Sequence, residues 1–217
     1  MSFCDEEMES IKIVLIGESG VGKTSIICQF MEQVFANDKQ STIGGTFSTK
    51  IVKCGEEKEV RLEIWDTAGQ ERYRSVTNMF YKDANAALLV YDITSKYTYE
   101  ELKNYWVEQV KETSPKNIIL AIIANKADLI ENEQVDEEEA REFAQKNNAL
   151  FALTSAKNNY GINDLFLEIA KKYTGIDSSL IFEEKDEIEE VRNIRKQSVK
   201  ITKETQKKSG NKKKGCC

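Results

Sequence analysis

The chain has 217 residues, with a hydrophobic share of 40% and a charged share of 31%, enough for one sizeable core and little more. It contains no histidine, which excludes zinc fingers and Ser-His-Asp or Cys-His catalysis, and an odd number of cysteines, three far apart (Cys4, Cys28, Cys54) and two adjacent at the end (Cys216, Cys217), which argue against a disulfide framework. The net charge of −6 divides into +7 on residues 196–217, where eight lysines meet one acid, and −13 on residues 1–195. No basic face for nucleic acid is therefore expected on the folded part, and an anionic membrane is the natural partner of the tail.

The N-terminus carries Asp5, Glu6, Glu7 and Glu9 and no basic residue, so it does not read as a secretory signal. Residues 11–16 (IKIVLI) are a β-branched, strand-like run that stops at Gly17. Residues 23–35 place Ile26, Ile27, Phe30 and Val34 at helical spacing. Period-two alternation over 47–54 and 60–66, with Gly55, Glu56 and Glu57 between, predicts a hairpin. The unbroken apolar runs 86–91 (AALLVY) and 118–124 (IILAIIA) read as buried central strands. Helices are expected over 99–110 and 137–147, a short strand over 150–153, and a last helix over 162–173.

This alternation predicts an α/β fold with a mostly parallel sheet and helices on both faces. No internal repeat is present, and no run approaches the roughly 18–20 apolar residues of a membrane span. One domain, 11–175, is expected, followed by a polar, lysine-rich tail, 176–217, that has too few core formers to fold alone.

Three motifs carry chemistry. Gly17, Glu18, Ser19, Gly20, Val21, Gly22, Lys23 and Thr24 match the phosphate-loop pattern G-x-x-x-x-G-K-[ST], after a predicted strand and at the start of a predicted helix. The glycines let backbone N–H groups curl inward, and the helix N-terminus adds its partial positive charge. Lys23 offers a point charge to the β- and γ-phosphates, and the Thr24 hydroxyl can ligate Mg²⁺; with Ser25, these residues form the expected phosphate set. The strand 60–66 ends in Asp66, placed for Mg²⁺, followed by Gly69, whose N–H can approach a γ-phosphate, and Gln70, which can orient a water.

Asn125, Lys126 and Asp128 follow the strand 118–124. Asp128 can accept from guanine N1–H and the 2-amino group, two donors that adenine lacks, and so would choose GTP over ATP. Thr154, Ser155, Ala156 and Lys157 follow the last strand and are expected to supply backbone N–H groups to the guanine oxygen.

These residues together resemble the small Ras-like GTPases, and specifically the Rab family. The resemblance rests on the phosphate loop, WDTAGQE at 65–71, NKAD at 125–128 and TSAK at 154–157, with IGGTF (43–47), RYRSVT (72–77), FYKDA (80–84), LVYDIT (89–94) and the terminal KKKGCC between and after them. It implies a Ras-like G domain with a six-stranded, mostly parallel sheet. Thr42 is then the switch threonine that closes on Mg²⁺ and the γ-phosphate, and Phe35 flanks the guanine ring opposite the Lys126 stem. Ile43, Gly44 and the aromatic triad Phe47, Trp65 and Phe80 face effectors. No CaaX box is present, and the resemblance implies that Cys216 and Cys217 are the geranylgeranylated pair.

The resemblance also implies a monomer served by an exchange factor, a GTPase-activating protein, a GDP-dissociation inhibitor, an escort protein and a geranylgeranyl transferase. No motif arginine is an obvious finger in cis, so slow intrinsic hydrolysis is expected. NKADL and RYRS lean toward the early-endosomal branch, on the cytoplasmic face of its membrane, with a cytosolic pool in the GDP state. Gly45 stands where the family usually carries a larger residue, which predicts a looser switch I, and Lys82-Asp83 replaces a more usual arginine-glycine pair. Two other readings are a nucleotide-locked binding module, which Gln70 and Thr42 oppose, and a phosphate-loop ATPase or kinase, which Asp128 opposes.

Overall fold

The computed structural model describes residues 8–33, 45–55, 58–67, 80 and 82–176. Among them the apolar runs build a six-stranded sheet: β1 (Ser10–Ile16), β2 (Gly45–Lys53), β3 (Glu59–Thr67), β4 (Ala86–Asp92), β5 (Ile119–Asn125) and β6 (Leu150–Leu153). The spatial order is β2-β3-β1-β4-β5-β6, parallel except for the edge strand β2, which pairs antiparallel with β3. β4 and β5 are buried along their whole length, as unbroken apolar runs require. β2 instead shows one side to solvent, with Phe47, Thr49, Ile51 and Lys53 exposed.

Helices cover both faces. α1 (Lys23–Glu32) and α5 (Ile162–Thr174) share one side, where the Phe30 and Phe166 rings stack at 4.0 Å in a core that includes Ala86, Leu88 and Val90 of β4. The alternate β4 residue Tyr91 points to the opposite face. There it meets Tyr99 at 5.0 Å, and Tyr99 meets Phe143 edge-on. Tyr99 lies on α2 (Lys96–Glu101), which runs through a π turn (Leu102–Trp106) into α3 (Val107–Thr113), and Phe143 lies on α4 (Glu137–Lys146). Among the described residues, no helix is long and apolar enough to cross a membrane.

The expected elements are present, with three adjustments. α1 stops at Glu32 instead of reaching 35, because Gln33 adopts the left-handed conformation and returns its N–H to Gln29 O, closing the helix. Val34 and Phe35 lie outside the described residues. The helix expected over 99–110 is longer at both ends and carries the π turn, which nothing in its periodicity announced. A 3₁₀ stretch (Ala127–Asn132) follows β5, where no element was assigned from the sequence.

Parallel strands bring their carboxyl ends to one edge. Leu15 lies opposite Asp66, Asp92 opposite Asn125, and Ala124 opposite Leu153. Residues far apart in sequence are thereby gathered where open α/β sheets bind ligands.

Burial, reinforced by Tyr99 and Glu133, holds the Tyr91 hydroxyl above its ordinary value of 10.0. The folded chain thus keeps a proton that the unfolded chain loses, so this contribution is complete below pH 10 and declines as pH rises above it. Tyr91→Phe should flatten the alkaline fall in urea midpoint. Identical alkaline slopes for the two proteins would contradict this account.

Candidate functional site

The chain leaves β1 at Ile16 and turns through 17–22 before α1 begins. Gly22 precedes the helix at φ 98°, and a Cβ there would lie 2.4 Å from Asn125 Nδ2, so both the conformation and the space demand glycine. Lys23 folds back under the turn, its Nζ donating to Gly17 O at 2.8 Å and Glu18 O at 2.9 Å. Burial pushes its ammonium pKa down to about 8, against the opposing pull of the Asp66 and Glu18 carboxylates. Ser19 and Gly20 crown the loop, exposed, while Ser25 is half-buried in the first turn of α1. The Glu18 side chain turns inward, where its Oε1 accepts from Trp106 Nε1.

Thr24 Oγ1 donates to Asp66 Oδ2 at 2.6 Å across the β1–β3 junction, and Thr67 Oγ1 fixes the β3 end by donating to Leu15 O. A hydroxyl and a carboxylate at this separation are the hard oxygen donors Mg²⁺ prefers. Among the described residues no group of three or more Cys, Asp or Glu could hold a metal ion. A cation here would therefore be completed by phosphate oxygens and water, the usual arrangement for Mg²⁺. The residues fit the ion.

Asn125 ends β5 and joins two loops. Its Nδ2 donates to Val21 O at 2.7 Å, and its Oδ1 accepts from Thr154 Oγ1 at 3.2 Å. Lys126 adopts φ 68°, and its Nζ pairs with Asp92 Oδ2 at 2.5 Å. Asp128 Oδ1 accepts from Ser155 Oγ at 2.6 Å, and Lys157 Nζ stands 4.0 Å from Asp128 Oδ2. Each site lysine thus has an acidic neighbour, which keeps the pocket from becoming a simple cationic patch.

One expectation is corrected. The Ser155 N–H is not offered to a ligand, because it donates to Tyr160 O while Tyr160 N–H returns the bond. Ser155 instead acts through its hydroxyl, which orients Asp128, while Ala156 is buried beside it. At Gly45 a Cβ would meet Phe80 Cζ at 2.9 Å, so the Phe80 ring packs directly against the glycine.

The triad is assembled, with Phe47 and Trp65 at 4.9 Å and Trp65 and Phe80 at 5.7 Å between centroids, and Phe47 about half exposed. Phe35, Thr42, Ile43, Gly44, Gly69, Gln70, Cys216 and Cys217 lie outside the described residues. Sequence reasoning missed Asp92 and Trp106 as supports of the site, and it gave Thr154 only a backbone role where its hydroxyl donates to Asn125 Oδ1. An acid ending a fully buried strand could have flagged Asp92; Trp106 gave no signal.

Comparison with known proteins follows the same residues. The model of the Ras family matches residues 12–175. The chain belongs to the Ras family. Ras-related protein Rab-22A of Homo sapiens is 43% identical over 173 residues, 80% of this chain and 88% of that relative. The Rab-22A of Canis lupus familiaris is 42% identical over 172 residues, 79% and 88% respectively. The chain is a Rab-type small GTPase, which hydrolyses GTP and acts as a switch in vesicle transport.

Asn125→Ala would leave Val21 O and the Thr154 hydroxyl without their buried partner. The expected cost is about 1–3 kcal/mol of unfolding free energy, read from urea denaturation. An unchanged midpoint would show that this bridge does not hold the loops.

Proposed function

We propose that residues 11–175 form the GTPase domain of a membrane-attached, endosomal Rab switch, and that residues 176–217 are its basic tether. The guanine assignment is carried by one observation: Asp128 is set at the carboxyl edge of the sheet, held by Ser155, on the far side of Asn125 from the phosphate loop. A carboxylate so fixed suits two adjacent donors on a guanine edge. It would be left unmatched by adenine, the asymmetry that gives polar recognition its selectivity.

In this reading the amides of 17–22, with Lys23 and Ser25, take the phosphates, and Lys126 lays its stem along the base opposite Phe35. Ala156 and Lys157 supply the remaining base contacts. Thr24, Thr42 and Asp66 hold Mg²⁺, which when bound supplies counter-charge at the phosphates. Gln70 orients the attacking water, and Gly69 meets the γ-phosphate. Phosphoryl transfer asks a protein mainly for positioning and charge stabilisation, and without an arginine in cis the intrinsic rate is on the order of 10⁻⁴ per second. An activating protein therefore ends the signal and an exchange factor restarts it.

GTP would order the segments bearing Thr42 and Gln70 and present Ile43, Gly44, Phe47, Trp65 and Phe80 to effectors. Cys216 and Cys217 would carry geranylgeranyl groups, attached with the help of an escort protein and extracted in the GDP state by a dissociation inhibitor. Two lipid chains, or one with a polybasic segment, anchor stably where one alone does not. The Rab-22A likeness and the NKADL and RYRS stretches favour the early endosome.

An N-terminally tagged chain tests the reading. Wild type and Gln70→Leu should mark early endosomes, the latter with a smaller cytosolic pool, and Cys216/Cys217→Ser should be diffuse. Golgi labelling would overturn the endosomal assignment, and a cysteine variant that stays on membranes would overturn the lipid tether.

A further inference from the structure

A phosphate-binding loop is a poor place for a carboxylate, yet Glu18 lies inside it and is 7% exposed. Its backbone carbonyl takes one of the Lys23 bonds, and its charge is felt at the Lys23 ammonium. A partner that holds the carboxylate inward is Trp106. The Trp106 side chain is 1% exposed, and its Nε1 donates to Glu18 Oε1 at 3.0 Å across 88 residues of sequence.

The indole N–H suits that task because it can only donate, so it fixes a carboxylate without offering an alternative hydrogen-bond pattern. The backbone around Trp106 is adapted as well. Trp106 closes the π turn Leu102–Trp106, and the Val107 N–H bonds to Leu102 O, five residues back. One extra residue in a helical turn rotates everything after it by about 100°, and π turns of this kind concentrate at functional positions.

We propose that Trp106 is a positioning residue for nucleotide binding: by holding the Glu18 carboxylate inward, it keeps the carboxylate oxygens out of the space where the amides and Lys23 meet the phosphates. This rests on the reading of 17–24 as the phosphate loop. It goes beyond that reading by assigning a role to a residue on the opposite face of the sheet from α1. The consequence is specific. Loss of the indole N–H harms nucleotide retention through the charge of Glu18, not through lost packing.

The test is the release rate of fluorescent GDP from the full-length chain with Mg²⁺, for wild type, Trp106→Phe, Glu18→Gln and the double variant. Phenylalanine keeps the aromatic packing and removes the donor. Trp106→Phe should speed release about tenfold, and adding Glu18→Gln should recover most of that loss. Equal rates for Trp106→Phe and the double variant, or effects that simply multiply, would overturn the proposal while leaving the nucleotide site intact. A wild-type chain that retains no GDP would overturn both.

Should Trp106→Phe fail to fold, the Trp106 indole N–H resonance, assigned against Trp65→Phe, carries the test. It should move upfield in Glu18→Gln, where a neutral acceptor replaces the carboxylate. An unmoved resonance would overturn the proposal.

Discussion

Asn125 is the contact on which the carboxyl edge of the sheet depends. Its amide nitrogen reaches the carbonyl of Val21 in the phosphate loop, and its amide oxygen takes the hydroxyl of Thr154 after the last strand. It can do both because Gly22 has no side chain to fill the space its amide crosses. Two loops that share no sequence neighbourhood are thereby locked to one strand end. The cost of breaking such a bridge is high because buried amides and carbonyls lose their partners without gaining water.

Around that bridge the site is organised as matched charge. Lys126 leans on Asp92, Lys157 faces Asp128, and Lys23 sits among carbonyls with Asp66 and Glu18 nearby. Fixed, mutually compensated charges suit a site that must hold a polyanion and let it go. An uncompensated cluster of lysines would bind phosphate of any kind. In the proposed reading selectivity comes instead from Asp128, which accepts from the Ser155 hydroxyl, and the Glu18 carboxylate is likewise tied, by Trp106.

Much of this was legible in the chain itself. The unbroken runs of β4 and β5 announced central strands, and the spacing of Gly17, Gly22, Lys23 and Thr24 announced a phosphate loop at the first strand-helix junction. What stayed hidden depends on partners distant in sequence or on local backbone choices. The Asp92–Lys126 pair needs two adjacent strand ends, and the Glu18–Trp106 bond spans 88 residues. The Tyr160 carbonyl claims the Ser155 N–H through a tight local turn that no motif encodes. The Phe80 ring against Gly45 is a tertiary contact that no local pattern announces.

The central claim is that one edge of this sheet recognises guanine through a carboxylate placed by its neighbours. Its most direct test is displacement of bound fluorescent GDP by GTP or ATP, in wild type and in Asp128→Ala. Wild type should prefer GTP by at least about 10⁴-fold, as sites built to pair polar groups do. Asp128→Ala should narrow that gap by roughly 10–100-fold through loss of charge-assisted hydrogen bonds. Equal displacement by ATP and GTP in wild type, or an unchanged ratio in the variant, would contradict the account.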